Sequence, residues 1–454
     1  MGTNHFLFIA PDYKRWLGIA AYIDGLSRGL MSLGDTAKVL AVVQPDEKER
    51  IRFLETYEPW VVPFQIIHDD KPANLLGRKC VSLLEILRCL SPNCRRVLER
   101  TPLFKASTTS IATLERVLSK ENPTVIVFGH LDVRLYALAL SLLERQRPYG
   151  IIAYDSEICR FPNNKKNDLV KRGVMLKGAS WIAAVSHHTK SLLEMWGIPS
   201  GRVKVVHPPI SEEAVRESAI LEPMFKKDND LSLVTVCRLV KSKGIDVVMR
   251  ALGILAARGI PYRYVIGGEG PEKRFLEALV DELGLRDRVH FKGFITHEEK
   301  WRLLRNGDVL VMPSRVDPKI PHEGFGIAFV EAAAFGVPAV GSRAGGIPDA
   351  VVDGETGILV PQESPVDLAD ALTLLYRKPE IRKEMGRAAR ERARRQFSPR
   401  AIAARFKEEI SKAVDNDLTR ISVHRLGSGH QGRSERPAGS HDGDPRDDYE
   451  GLRL

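Results

Sequence analysis

Short apolar runs alternate with helix-patterned stretches from one end of this chain to the other, and that order commits it to parallel α/β architecture. HFLFIA, AKVLAVV, TVIVFG, GIIAY, WIAAVS and VKVVH read as strands in the first half. LSLVTV, YRYVIGG, RVHFKG, VLVMPS and PAVGS read as buried strands in the second. At 454 residues the chain is long enough for two such units, each with its own core. The break falls near His207-Pro208-Pro209, where two prolines stop regular structure. The expectation is a Rossmann-like domain over residues 1–208 and a second over 209–397. A helix with a Ser-Pro start follows from Ser398 to about residue 414 or 416. From 417 to 454, Gly, Ser, Pro and mixed charges leave little to bury, and a disordered tail is expected.

Composition narrows the class. The chain is 43% apolar and 28% charged, which suits a globular enzyme. No apolar run approaches the roughly 18 residues needed to cross a bilayer. The opening MGTNHFLFIAPD lacks a basic region and reads as a first strand, not a signal peptide. Cys80, Cys89, Cys94, Cys159 and Cys237 form an odd, scattered set without a CxxC pair. That pattern argues for a cytoplasmic setting and against a structural metal. The net charge of +10 is uneven: residues 71–120 carry ten Lys/Arg against three Asp/Glu. With its helically spaced Leu, Ile and Val, this segment reads as an amphipathic element on an anionic membrane surface or as a solvated helix face, and the residues leave both open. Nucleic acid is disfavoured, because no aromatics interleave with the basic residues.

The chemistry concentrates in HEGFGIAFVEAAAFGVPAV. An apolar strand, Val309 to Met312, leads into a Pro/Gly loop and then a helix opening on Gly324-Phe325-Gly326. Free backbone N–H groups at that helix start favour an anion such as a phosphate. Glu323 and Glu331 are eight positions apart, which on one helix separates them by roughly 12 Å along the axis. Such a pair cannot share a proton, but can grip two ends of an extended, polyhydroxylated ligand such as a nucleotide-sugar.

A second basic loop, from Val236 to Gly244, follows a strand and puts Arg238 and Lys243 where open α/β sheets bind ligands. Two cations there would offset the charge growing on a departing diphosphate. His130 ends the run TVIVFGH and can face a cleft between domains; a structural role is the alternative. Gly18, in the loop after the first strand, permits close backbone approach to a phosphate, though glycine is also ordinary loop punctuation. Gly267-Gly268-Glu269-Gly270-Pro271 lacks the dinucleotide fingerprint and reads as a tight turn near the cleft. His297-Glu298-Glu299 is not HExxH, because Trp301 stands at the second His position. His187 and His188 have no Cys or carboxylate at metal-ligand spacing. Neither GxxxxGK[ST] nor GxSxG occurs.

Taken together, CRLVKSKG, GGEGP and HEGFGIAFVEAAAFGVPAVGSRAGGIPDAVVDGETGILVP resemble the family 4 glycosyltransferases, retaining enzymes of the GT-B fold. The likeness covers nearly all of the second half and extends weakly into the first through WIAAVSHHTK and VKVVHPPI. It implies two Rossmann-like domains facing across a cleft, with the last helix crossing back to the first. It implies that Arg238 and Lys243 hold the donor diphosphate, and that Glu323 contacts the transferring sugar beside the backbone of Gly324, Phe325 and Gly326. By the same likeness Glu331 binds ribose hydroxyls, His130 lies near the reacting sugar and Gly18 lies near the phosphates. Three positions depart from the family. Cys237 replaces a glycine, Leu17-Gly18 stands where two glycines are common, and Pro208-Pro209 replaces Asn-Gly, a variant associated with mannosyl-transferring members.

The resulting expectation is a retaining transferase. It moves a mannose- or glucose-type hexosyl group from a GDP- or UDP-sugar to a lipid-linked or glycan acceptor in cell-envelope polysaccharide or glycolipid synthesis. It needs no metal and no cofactor beyond the donor substrate. It is expected in the cytoplasm, with the 71–120 segment as the candidate contact to the inner membrane face. The alternatives are a GT-B epimerase or phosphorylase, or a non-catalytic nucleotide-sugar-binding protein.

Overall fold

Two all-parallel sheets organise the chain. The first runs β3-β2-β1-β4-β5-β6-β7 and contains β1 (His5–Pro11), β2 (Thr36–Val43), β3 (Val61–Gln65), β4 (Val125–Phe128), β5 (Gly150–Ala153), β6 (Trp181–Ala184) and β7 (Val203–Val205). The second runs β10-β9-β8-β11-β12-β13, with β8 (Leu231–Val236), β9 (Tyr262–Gly267), β10 (Val289–Gly293), β11 (Val309–Met312), β12 (Ala339–Ser342) and β13 (Gly357–Val360). The computed structural model describes residues 3–11, 17–43, 61–65, 114–159, 166–220, 230–317 and 323–411. Most of the basic 71–120 segment and all of the 417–454 tail lie outside the described residues.

Interior strands such as β4, β6 and β11 are buried along their whole length. Helices cover both faces of each sheet, so these strands read as continuous apolar runs, not as alternating ones. Two strands carried no readable signal in the sequence, and both are edges. β3 holds Pro63, which cannot donate to a ladder and is tolerated at a sheet margin. β13 is four residues long and opens on glycine.

The chain leaves the first lobe through an irregular stretch around His207-Pro208-Pro209. After the helix Pro379–Gln396 it turns at Phe397 and runs back as a helix over 399–411. The expected return to the first lobe is realised there. The Phe406 ring packs 6.1 Å from Phe6, 6.4 Å from Phe8 and 5.5 Å from Trp181, centroid to centroid. Lys407 Nζ donates to both oxygens of the buried Asp35 carboxylate at 2.7–2.8 Å. At Gly29 the returning backbone passes so closely that a Cβ would lie 2.1 Å from the Pro399 carbonyl oxygen. One buried apolar cluster therefore runs from the first sheet, through this helix, to Phe325 and Phe329 of the second lobe. No described helix is long and apolar enough to cross a membrane.

Candidate functional site

In each sheet the strand order reverses once, between β1 and β4 in the first and between β8 and β11 in the second. Crevices that bind ligands open beyond the carboxyl ends of strands at such points. His130 follows β4, Arg238 and Lys243 follow β8, and Glu323 follows β11, whereas Gly18, expected in the loop after β1, lies instead in the first turn of the helix Leu17–Ser32. The lobes meet beyond these strand ends. A Cβ at Gly18 would lie 3.9 Å from Ile327 Cδ1, and one at Gly324 would lie 3.3 Å from Asp155 Oδ1.

The loop after β8 is held by backbone. Leu239 N–H donates to the Glu269 carbonyl at 2.9 Å, and Cys237 N–H donates to the Gly267 carbonyl at 3.1 Å. The glycines of the 267–271 turn allow this approach: a Cβ at Gly268 would lie 1.8 Å from the Cys237 oxygen, and one at Gly270 would lie 2.2 Å from the Leu239 oxygen. That turn thus braces the basic loop. Lys241–Lys243 form a single 3₁₀ turn ended by Gly244 at φ +66°, pressed against the Pro313 carbonyl. Burial pushes the Cys237 thiol up to about 12, so at neutral pH it is a protonated, packed group.

Lys243 Nζ donates to Glu323 Oε2, and the two side chains are only 21% and 13% exposed. Burial works against the ammonium, but the adjoining Glu323 carboxylate outweighs it, and the Lys243 pKa is raised overall. Arg238 is exposed at the rim, and its charge opposes that of Lys243.

Glu323 lies outside the helix. The helix spans Ile327–Ala334 and is capped by Gly326 at φ +87°. The 12 Å separation expected for two carboxylates on one helix therefore does not apply, because Glu323 is a loop residue and only Glu331 is helical. What fixes Glu323 is the Gly345-Gly346 turn after β12. Gly346 N–H donates to the Glu323 carbonyl at 2.8 Å, and a Cβ at Gly346 would lie 2.0 Å from the Gly324 oxygen. Phe325 is buried and stacks on the His207 ring at 5.2 Å, and Gly326 leads directly into the free N–H groups of the helix start.

Glu331 is buried one turn into that helix, and Lys300 Nζ donates to its Oε1 at 2.7 Å. Lys300 comes from the neighbouring helix His297–Arg305 and lies 4.0 Å above the Trp301 ring. Sequence reasoning overlooked Lys300, since no linear spacing connects positions 300 and 331.

In the first lobe His130 is buried, with Nε2 2.6 Å from Glu157 Oε1; Glu157 Oε2 accepts from Leu131 N–H at 2.9 Å. Burial lowers the His130 pKa, but the Glu157 carboxylate prevails and the value is raised above 6.5. An unfolded histidine titrates near 6.5, so this pairing stabilises the fold fully below that pH and fades as pH climbs through the folded value. His130→Gln is expected to flatten that decline, measured by denaturant unfolding from about pH 6 to 9. An unchanged slope would show that the His130–Glu157 pair is not its source.

The expectation that His187 and His188 lack carboxylate partners is corrected. His188 Nε2 lies 3.2 Å from Asp155 Oδ2, and His187 Nδ1 lies 3.0 Å from Asp349 Oδ2. Both carboxylates are distant in sequence, and the fold supplies them.

Residues 218–392 match the family model described as Glycosyl transferases group 1. Alpha-D-kanosaminyltransferase of Streptomyces kanamyceticus is 33% identical over 171 residues, 38% of this chain and 43% of that relative. The GDP-mannose-dependent alpha-(1-6)-phosphatidylinositol monomannoside mannosyltransferase of Mycobacterium tuberculosis is 30% identical over 234 residues, 50% of this chain and 61% of that one. The chain thus spans about half the length of the curated relatives it matches. Among solved structures, Anabaena HepE in complex with UDP and glucose aligns with a TM-score of 0.63 at 18% identity, covering 90% of this chain and 99% of that one. A glycosyltransferase from Rickettsia africae aligns with a TM-score of 0.67 at 16% identity, covering 92% and 100%. At these identities the structural likeness speaks for the fold alone. The described residues have the two-sheet GT-B fold with its returning helix, and the segment from 218 to 392 matches the Glycosyl transferases group 1 family.

Proposed function

We propose that the chain is a retaining glycosyltransferase that moves a mannose- or glucose-type hexosyl group from a GDP- or UDP-sugar to a hydroxyl of a lipid-linked or glycan acceptor. The observation that carries this reading is the Lys243–Glu323 pair, formed between the two loops that flank the reversal point of the second sheet. A donor diphosphate entering there draws Lys243 from Glu323 toward its own oxygens, with Arg238 as a second cation and the N–H groups before Ile327 as further donors. Glu323 is then available to the hydroxyls of the transferring sugar. Glu331, with one oxygen steadied by Lys300, binds the ribose hydroxyls. His130 approaches the sugar from the first lobe.

The bond between the anomeric carbon and the phosphate oxygen breaks with its electron pair left on the diphosphate. That oxygen takes the proton of the acceptor hydroxyl on the same face, and the acceptor oxygen bonds to the anomeric carbon from that side, so configuration is retained. The residues supply charge and orientation, and no resident cofactor enters the scheme. One relative's name gives GDP-mannose as its donor and HepE was solved with UDP, which narrows the first donors to try. Membrane contact through residues 71–120 remains part of the proposal, since an acceptor with a lipid tail sits at a bilayer. Thermal-shift screening against GDP-, UDP- and ADP-sugars tests the reading, because a bound donor raises the melting temperature by mass action. A flat response to all of them would overturn it.

A further inference from the structure

At the junction of the two lobes, three side chains of mixed chemistry converge. His187 opens the helix His187–Met195 of the first lobe, His207 lies in the connecting stretch, and Asp349 sits in the short helix Ile347–Ala350 of the second. His187 Nδ1 is 3.1 and 3.0 Å from the two Asp349 oxygens, and His207 Nε2 is 3.1 Å from Asp349 Oδ2. One ligand atom from each residue lies within 4.8 Å of the other two, the only such group of three among the described residues. We propose that His187, His207 and Asp349 form a binding site for a divalent transition metal of the zinc class, which fastens the two lobes together.

The donor set fits that class. Two imidazoles and one carboxylate suit zinc, cobalt or nickel, whereas magnesium and calcium prefer all-oxygen shells. Ligand atoms around a tetrahedral zinc at 2.0–2.1 Å are about 3.4 Å apart, close to the spacings between the carboxylate and each ring. The surroundings also hold the ligands in place. The His207 ring is stacked on Phe325 at 5.2 Å and set edge-on to Phe397 at 5.8 Å. His187 N–H donates to Asp349 Oδ2 at 2.6 Å and so orients the carboxylate, while Arg392 donates to the Asp349 backbone carbonyl at 2.7 Å and anchors the short helix that bears it. The His187 side chain is 70% exposed, which gives an ion a path in and leaves room for water as the remaining ligand. To bind, His187 Nδ1 and His207 Nε2 must give up the hydrogens they direct at Asp349, and a neutral ring does so without net proton loss by carrying its hydrogen on the other nitrogen.

The arrangement also gives the ion a consequence. It ties the first lobe to the second and includes His207, whose ring stacks on Phe325, the middle of the Gly324-Phe325-Gly326 loop. A metal there resists separation of the lobes, and the inference stands whether or not the chain transfers a sugar.

The test is titration of the full chain with Co2+, followed by visible absorption, and then competition with Zn2+. Wild type is expected to take up one ion per chain with the intense bands of a low-symmetry cobalt site, and zinc is expected to displace it. His187→Ala and His207→Gln should each weaken binding by roughly tenfold or more. His187 is exposed, so His187→Ala keeps the test open even if His207→Gln fails to fold. Zinc should also raise the Tm of wild type more than that of His187→Ala. Absence of cobalt bands, or equal binding by wild type and both variants, would leave the cluster a plain hydrogen-bonded latch and overturn the proposal.

Discussion

Lys243→Ala is expected to lower kcat by about 30- to 1000-fold, the equivalent of 2–4 kcal/mol of barrier. The proposed role puts the loss on kcat, since in it the lysine answers charge that grows on the diphosphate as the sugar departs. Arg238→Ala should act in the same direction but fall short, since Arg238 is exposed and water already screens its field. The Lys243–Glu323 contact allows a sharper version of the experiment. Removing Lys243 alone leaves a largely sequestered carboxylate without its cation, which costs stability as well as turnover. Glu323→Gln in the same background should restore the melting temperature while leaving kcat low. Wild-type turnover in Lys243→Ala would refute the assigned role, and recovery of kcat in the double variant would mean the lysine serves the fold alone.

Gly346→Ala is the second large effect. The added carbon would lie 2.0 Å from the Gly324 carbonyl oxygen, a backbone atom that no rotamer change can move. The loop carrying Glu323 must shift, and a displacement near 1 Å at a positioned group costs on the order of 100-fold in kcat/KM. Gly253→Ala is the matched control. It sits inside the helix Ile245–Ala257 with only Leu283 nearby, at 3.9 Å, and should be neutral or stabilising by up to about 1 kcal/mol. Equal kcat/KM in wild type and Gly346→Ala would show that the Gly345-Gly346 turn does not hold the site.

These glycines mark the boundary of what the residues alone disclosed. Interior strands were legible because burial on both faces leaves unbroken apolar runs, as in VLVM of β11. The edge strands β3 and β13 were not, since a margin tolerates proline, glycine and short length. Arg238, Lys243 and Glu323 were locatable because strand-end loops are where such sheets present ligand-binding groups. The Lys243–Glu323 pairing was not, and neither was the start of the helix at Ile327. An apolar run with two acids eight apart reads as one helix until the left-handed Gly326 is seen to interrupt it. Lys300, Glu157 and Asp349 escaped for a different reason. Each meets its partner across at least 26 positions, and no local pattern encodes a contact made by packing.

The helix over 399–411 bears on the order in which the molecule can be built. Phe6, Phe8 and Trp181 are made early, yet the ring that covers them, Phe406, is made only after the entire second sheet. A ribosome releasing this chain from its amino end therefore exposes a first lobe with an open apolar seam, which must wait for some two hundred further residues before it closes. Until then the nascent lobe is a natural client for chaperones.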